Sequence, residues 1–83
     1  MSKRDKDLAR LHDREKSRQI TFEFLDKVLQ HHGFTVIQPR GGSSHYKYTR
    51  DRYVITVAKH EPFVHPYAVK EVADILDEIM DAE

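Results

Sequence analysis

The feature that most constrains the fold is a pair of alternating runs in the middle of the chain. They are HYKYT at 45–49 and YVITVA at 53–58, and a polar interval at 50–52 separates them. Runs rich in β-branched and aromatic residues are typical of strands, and an interval of this length predicts an antiparallel hairpin. Side chains alternate between the faces of a strand, so Tyr46 and Tyr48 share one face. The sequence therefore predicts a sheet whose two faces differ.

The segments on either side of the hairpin complete the predicted fold. FTVIQ at 34–38 is typical of a short strand, and it follows a helix predicted over 18–32 that ends at Gly33. A second helix is predicted over 66–81. Both helices are predicted from apolar residues that recur at three- and four-residue steps. These are Ile20, Phe24, Leu25, Val28 and Leu29 in the first and Val69, Val72, Ala73, Leu76, Ile79 and Met80 in the second.

The predicted order is helix, three strands, helix, which is an α+β fold. It is most simply satisfied by a three-stranded antiparallel sheet with both helices on one face and the other face open. Double-stranded RNA-binding domains (dsRBDs) have the same order of elements. The sequence therefore predicts a dsRBD-like fold, but fold alone does not establish function.

The size of the chain limits it to one small domain. It has 83 residues, 39% of them hydrophobic, and no cysteine, so disulfides and thiolate metal sites are excluded. Neither a signal peptide nor a membrane-spanning run is evident, which predicts a cytoplasmic protein. Residues 1–18 contain few apolar residues, so we expect a frayed helix or a disordered arm there, and a folded domain over 19–83.

Charge is distributed unevenly although the net charge is zero. Residues 1–18 carry seven Lys or Arg and four acids, a balance of +3, whereas 71–83 carry six acids and neither Lys nor Arg. Such blocks are commonly solvated surfaces. The alternative is that the basic end recruits an anionic polymer, while the acidic end repels that polymer or meets a basic partner.

The stretch GGSSH at 41–45 carries the main chemical signal. Two glycines and two serines can offer N–H groups and hydroxyls to a phosphate, and His45 can move protons near neutral pH. Lys47 lies on the same strand face as His45, and Arg40 precedes the glycines. The plain alternative is a loose turn followed by an exposed strand histidine.

Three short motifs resemble the HicA toxin family. LQHHGF at 29–34 resembles its helix-to-strand joint, RGGSSH at 40–45 its approach to a histidine, and VITVAKH at 54–60 its third strand and the histidine that follows. The similarity spans about residues 20–80. It implies a ribonuclease toxin of a type II toxin–antitoxin pair, which cleaves mRNA without a metal, has a dsRBD-like fold and is inhibited by a HicB antitoxin.

The resemblance implies that His45 is the catalytic residue. For RNA binding, the residues themselves indicate a set around it: Arg40, Gly41, Gly42, Ser43, Ser44, Lys47 and His60. His60 is either a second acid/base or RNA-contacting group or an ordinary surface residue. Aromatic residues interleaved with cations indicate base stacking along the open sheet face, with packing as the alternative: Tyr46, Tyr48, Tyr53 and Phe63 among Lys47, Arg50, Arg52 and Lys59.

Other hypotheses stay open at this point. A zinc site formed by His31, His32 and His65 is disfavoured, because adjacent helical histidines point to different sides. The same fold can also serve as an RNA-binding module without chemistry. A third possibility is that the basic arm and the acidic helix serve protein assembly.

Overall fold

The computed structural model describes residues 3–38, 41 and 44–82 as a small α+β domain with a three-stranded antiparallel sheet and three helices. Its elements, in chain order, are helix α1 (Lys3–His12), a 3-10 turn (Lys16–Gln19), helix α2 (Phe22–His31), strands β1 (Thr35–Ile37), β2 (His45–Arg50) and β3 (Tyr53–Ala58), and helix α3 (Pro66–Ala82).

Helix α2 begins later than its apolar pattern predicted, because Thr21 caps it. The Thr21 hydroxyl accepts a hydrogen bond from the Phe24 N–H at 3.2 Å, which satisfies one of the free N–H groups at the helix start. Ile20 and Leu25 flank this cap and are both fully buried. They occupy the positions of a hydrophobic staple, which sets the direction from which the chain enters the helix.

Gly33 ends helix α2, as the sequence predicts. Its φ of +88° lies in the left-handed region, and the next N–H, from Phe34, donates to the Leu29 carbonyl at 3.0 Å. The Arg50 side chain also satisfies this helix end, because its Nη1 donates to the His32 carbonyl at 2.6 Å. A Cβ on Gly33 would lie 3.4 Å from Nε of Arg50, so the glycine leaves room for this contact.

The sheet has the order β1–β2–β3, and both neighbouring pairs are antiparallel. Arg50 pairs with Tyr53, so the loop between β2 and β3 has only two residues, one fewer than the predicted interval. Asp51 adopts a φ of +52°, a conformation that two-residue hairpins require and that aspartate tolerates.

The two faces of the sheet differ as the alternation predicts. The inward side chains of the three strands are buried or partly buried: Val36, Tyr46, Tyr48, Tyr53, Ile55 and Val57. Exposed side chains on the outward face are Thr35, Ile37, His45, Lys47, Val54 and Thr56. Phe22 and Phe34 are core residues and Phe24 packs against the core, as expected.

Tyr48 joins the sheet to helix α2. The ring is fully buried, and its hydroxyl donates to Oδ1 of Asp26 at 2.7 Å. Gln30 donates to the other oxygen of the same carboxylate at 2.8 Å. Burial, and then the hydrogen bond to Asp26, raise the pKa of Tyr48 well above its usual value. The phenol therefore stays neutral and holds β2 at a fixed position along α2.

Helix α1 differs from the expectation of a weakly anchored arm. Leu8 and Leu11 belong to the hydrophobic core, and the helix contacts both α2 and α3. Its last residue, His12, brings Nε2 within 2.6 Å of Oδ2 of Asp77 on α3. Two leucines on one face suffice because α2 and α3 provide apolar partners for them, so the described domain has three helices rather than the predicted two.

Within the described part of the chain, no helix combines the length and the apolar character needed to cross a membrane.

Leu11→Ala should lower the free energy of unfolding by about 2–4 kcal/mol, because it truncates a core side chain that is only 2% exposed. Urea denaturation followed by circular dichroism measures the change. Lys6→Ala, on an exposed position of the same helix, is the matched control and should change stability by less than about 0.5 kcal/mol. Equal effects of the two variants would mean that α1 is not part of the core.

Tyr48→Phe should cost about 1–2 kcal/mol near neutral pH, because the partly buried carboxylate of Asp26 loses a donor. The raised pKa of Tyr48 contributes stability that is complete below pH 10, the ordinary value that applies to the unfolded chain, and is lost as pH rises above it. The stability difference between variant and parent should therefore narrow above pH 10.

Denaturation in urea at pH 7 and between pH 10 and 11 tests this narrowing. Tyr67→Phe, on the surface, is the matched control and should show no appreciable difference from the parent at either pH. A Tyr48→Phe difference that stays constant across this range would contradict the account of a buried neutral phenol.

Candidate functional site

His45 opens β2 with its side chain exposed on the outward face of the sheet. It pairs with Ala58, the last residue of β3, and the Lys59 N–H donates to the Ser44 carbonyl at 2.7 Å one step further. Backbone pairing thus continues past both strand ends. His45 is held on a regular strand and not on a loose turn, so its side chain is directed to the open face.

Lys47 lies on the same outward face, two residues after His45. Two residues of a strand span about 7 Å, so the two side chains are close enough to act on neighbouring groups of one ligand. Lys47 pairs with Thr56 on β3 and with Ile37 on β1, and all three are exposed. This central position gives the open face a positive charge next to the imidazole.

The structure places only part of the glycine- and serine-containing approach to His45. Gly41 is exposed with a φ of +61°, and a Cβ there would meet no described atom within 4 Å. Ser44 is exposed, and its carbonyl already serves the pairing with Lys59. Arg40, Gly42 and Ser43 lie outside the described residues, so their predicted contacts with phosphate stay a prediction.

His60 follows β3 and lies in a short row of rings. Its ring centroid is 4.4 Å from that of His65, and the His65 ring stacks on Tyr67 at 5.3 Å with an interplanar angle of 17°. All three residues are exposed. Because Ala58 pairs with His45, this ring row begins two residues beyond the partner of the candidate catalytic histidine.

Sequence reasoning missed the ring row. His65 entered only as a zinc ligand, and Tyr67 was given no role. Tyr67 lies outside the apolar pattern of α3 that begins at Val69, and this was the available signal: an aromatic residue off the core face of an amphipathic helix is exposed. What no pattern shows is that the loop after β3 returns to bring His60 against His65.

The expectation that aromatic residues would stack bases along the open sheet face is wrong for the tyrosines of the strands. Tyr46, Tyr48 and Tyr53 point to the inward face, where they pack in or against the core. Tyr46 lies 4.7 Å from the Phe22 ring, centroid to centroid. Arg50 binds the end of α2, so it is structural as well. The same period of two that sets His45 outward directs these rings inward.

Two further cations that the sequence indicated for RNA binding contact aromatic rings: Lys59 follows β3 near His45, and Arg52 lies in the hairpin loop at the other end of the strands. Nζ of Lys59 lies 5.6 Å from the Phe22 ring centroid, and the Arg52 guanidinium lies 5.3 Å from that of Tyr53. Both cations are exposed, so each keeps a side that an anion can approach. Phe63, in the loop after β3, is 36% exposed.

The histidines at the end of α2 do not form a metal site. His31 is exposed, whereas His32 is buried with Nδ1 2.9 Å from the Val28 carbonyl, so the two rings point apart as expected. A carbonyl only accepts, which requires Nδ1 of His32 to carry the hydrogen. Its Nε2 has no hydrogen-bond partner among the described residues.

One other group in the described part of the chain has the composition of a metal site. Ligand atoms of His12, Asp74 and Asp77 all lie within 4.8 Å of one another on the surface between α1 and α3. His12 already pairs with Asp77, and Asp74 receives Nζ of Lys70 at 3.5 Å. These ion pairs account for the grouping without a metal.

A groove beside this cluster is lined by several cations. It encloses about 420 Å³ between α1, the 3-10 turn and the start of α3. The polar side chains that line it are His12, Arg14, Ser17, Arg18, Lys70 and Asp74. With three permanent cations against one carboxylate, the groove favours an anionic ligand.

Comparison with known proteins gives no match to any protein family, any curated protein or any solved structure.

Proposed function

We propose that the protein is a metal-independent endoribonuclease that cleaves mRNA, with His45 as the acid/base. The observation that carries the proposal is the placement of His45: an exposed imidazole at the start of the central strand of the sheet, with Lys47 beside it on the same face. A group that must reach a sugar–phosphate chain and exchange protons with it needs this access.

The proposed reaction needs no cofactor. His45 accepts the proton of a ribose 2′-hydroxyl, and the 2′-oxygen attacks the adjacent phosphorus. The bond from phosphorus to the 5′-oxygen breaks, that oxygen takes a proton from solvent water, and His45 releases its proton to solvent. This leaves a cyclic phosphate on one fragment and a 5′-hydroxyl on the other. Lys47 stabilises the negative charge that builds up on the phosphorane. Electrons and protons balance without an oxidant, a reductant or a metal.

The residues around His45 have binding roles in this proposal. Backbone N–H groups and hydroxyls of the 41–44 segment, with Arg40, hold the scissile phosphate, and His60 contacts RNA on the β3 side. Lys59, which hydrogen-bonds to Ser44 through its backbone, ties these two sides together. The RNA therefore lies across the ends of β2 and β3.

The family identification is also a proposal. The motifs at 29–34, 40–45 and 54–60 resemble HicA toxins, and the sheet with helices on its inner face supports a dsRBD-like arrangement. On this view the protein is the toxin of a type II toxin–antitoxin pair, works in the cytoplasm on mRNA and is held inactive by a HicB-like antitoxin. Helix α1 is then an addition that packs on the shared core.

A non-catalytic RNA-binding module is the second candidate. The ring row of His60, His65 and Tyr67 and the cationic groove beside α3 favour it, because stacking and charge bind RNA without any bond being broken. Cleavage separates the two candidates, since only the first forms product.

His45→Ala should lower the rate of RNA cleavage by about 10²–10⁴-fold, the usual contribution of a positioned acid/base. The assay incubates purified protein with mRNA in EDTA and resolves fragments on a gel. His31→Ala removes an exposed histidine at the end of α2 and is the matched control. It should cleave like the parent.

Growth on induction gives an independent readout of the same variants. The parent and His31→Ala should arrest growth, and His45→Ala should not. Cleavage by His45→Ala at the parental rate would exclude this mechanism. If the parent binds RNA but forms no product, the protein is the non-catalytic RNA-binding module. If product forms only without EDTA, cleavage depends on a metal.

Lys47→Ala should reduce cleavage by about tenfold to a hundredfold, since one charge aimed at the phosphorane is lost. Lys47→Arg keeps the charge and should retain most of the activity. Single-turnover rates with saturating protein measure the chemical step directly. If Lys47→Arg and Lys47→Ala are equally impaired, Lys47 does not act through its charge.

A further inference from the structure

The row formed by His60, His65 and Tyr67 is an exposed series of rings in contact. The His60 and His65 centroids lie 4.4 Å apart with the rings tilted by 48°, whereas the His65 and Tyr67 rings stack at 5.3 Å with an angle of 17°. Tyr67 is 69% exposed, so the ring that ends the row is open to solvent on most of its surface. A planar apolar surface with one free side matches the face of a nucleobase.

The backbone around this ring row is anchored. The His65 carbonyl accepts from the N–H groups of Ala68 at 3.0 Å and Val69 at 3.2 Å, which fixes the first turn of α3. Val69 and Val64 are both buried, and the Val64 N–H donates to the Ile20 carbonyl at 2.9 Å. The loop is thus tied to the core on both sides of His65, so the rings are presented before any ligand arrives.

The ring row lies between His45, the candidate catalytic residue, and the cationic groove. At one end, His60 lies two residues from Ala58, which pairs with His45. At the other, Pro66 stands between His65 and Tyr67 and also lines the groove that contains Arg14, Arg18 and Lys70. The groove runs along the side of α3 from Pro66 past Lys70 to Asp74.

We propose that single-stranded RNA runs from His45 across the start of α3, with a base stacked on the Tyr67 end of the ring row and a later phosphate in the groove. The proposal rests on the proposed function for its ligand. Its geometry selects an unpaired strand, because a base can reach a flat ring only when it is not stacked within a duplex. The position of His45 by itself does not require the RNA to be single-stranded.

The two RNA contacts should differ in how their binding free energy depends on salt. Stacking on Tyr67 is insensitive to base identity and nearly independent of salt, because every base has a flat face. Phosphate binding by Arg14 and Arg18 depends on counterion release and therefore weakens as salt rises. A Tyr67 variant should therefore change Kd at every salt concentration, whereas variants of Arg14 and Arg18 should change how steeply Kd depends on salt.

Binding is measured in a His45→Ala background, so that RNA stays intact whichever way the cleavage test ends. The probe is a fluorescently labelled single-stranded octanucleotide of mixed sequence, followed by anisotropy. Adding Tyr67→Ala should raise Kd by about tenfold, within the range that alanine substitution gives for stacked bases. Tyr67→Phe keeps the ring and should bind like the parent.

Val54→Ala is the matched control for loss of an exposed apolar side chain. Val54 is 54% exposed on the outward sheet face, at the opposite end of β3 from the ring row, and its truncation should leave Kd unchanged. A probe of the same length with abasic sugars tests the stacking itself. It should bind the parent and Tyr67→Ala equally.

The groove is tested by salt dependence. Arg14→Gln with Arg18→Gln should make the plot of log Kd against log salt concentration shallower by about 0.7, because the groove holds one phosphate and each neutralised phosphate on a single strand contributes about 0.7. Lys6→Gln, an exposed cation on α1 outside the groove, is the control and should leave the slope as it is.

The outcomes separate this inference from the function on which it rests. Unchanged Kd in Tyr67→Ala, or equal losses in Tyr67→Ala and Val54→Ala, overturns the stacking site even if His45 proves catalytic. Tenfold weaker binding in Tyr67→Ala supports the site even if His45→Ala still cleaves RNA. Absence of any RNA binding by the parent overturns both proposals.

Discussion

The hydrogen bond from the buried Tyr48 hydroxyl to Asp26 is the interaction on which the arrangement of the site depends. It fixes the inward side of β2 against α2, and inward and outward residues alternate strictly along a strand. A slip of one residue would bury His45 and Lys47 and expose Tyr46 and Tyr48. The exposed imidazole is therefore a consequence of where a phenol three residues later is buried.

Burial of the hydrophobic core is the second constraint on the fold, because a chain of 83 residues without cysteine has no disulfide to stabilise it. Three helices share this task. Leu8 and Leu11 of α1 fill the space between α2 and α3, and the pair between His12 and Asp77 joins α1 to α3 at the surface. The basic N-terminal segment is thus part of the folded domain, and its cations next to α3 have defined positions.

The proposed chemistry and the proposed RNA path meet where three elements end or begin. The start of β2 supplies His45, the end of β3 leads to His60, and the start of α3 carries Tyr67. Strand ends and helix starts are rigid in their backbone but open to solvent, which suits a ligand that is long and anionic. The flat outward face of the sheet then has only Lys47 as a central cation, and its tyrosines belong to the core.

Local patterns in the sequence were sufficient for the three strands, for α2 and α3, and for which side chains share a strand face. The period of two in 45–49 and 53–58 predicted the hairpin and placed His45 and Lys47 on one face, and Gly33 predicted the end of α2. These features depend on residues that are neighbours along the chain, so the backbone period alone specifies them. The aromatic residues were assigned to the wrong surface only where composition was weighed ahead of that period.

Only the tertiary structure decided the contacts between residues far apart in the chain. The docking of α1 depends on apolar partners in two other helices, and Leu8 and Leu11 alone do not reveal those partners. The ring row depends on a loop that returns His60 to His65, and the cationic groove on bringing Arg14 and Arg18 to Lys70. The sequence by itself determined which side chains share a face of an element, whereas packing determined which face is exposed and which side chains meet, because a repeating pattern specifies relative orientation but neither burial nor distance.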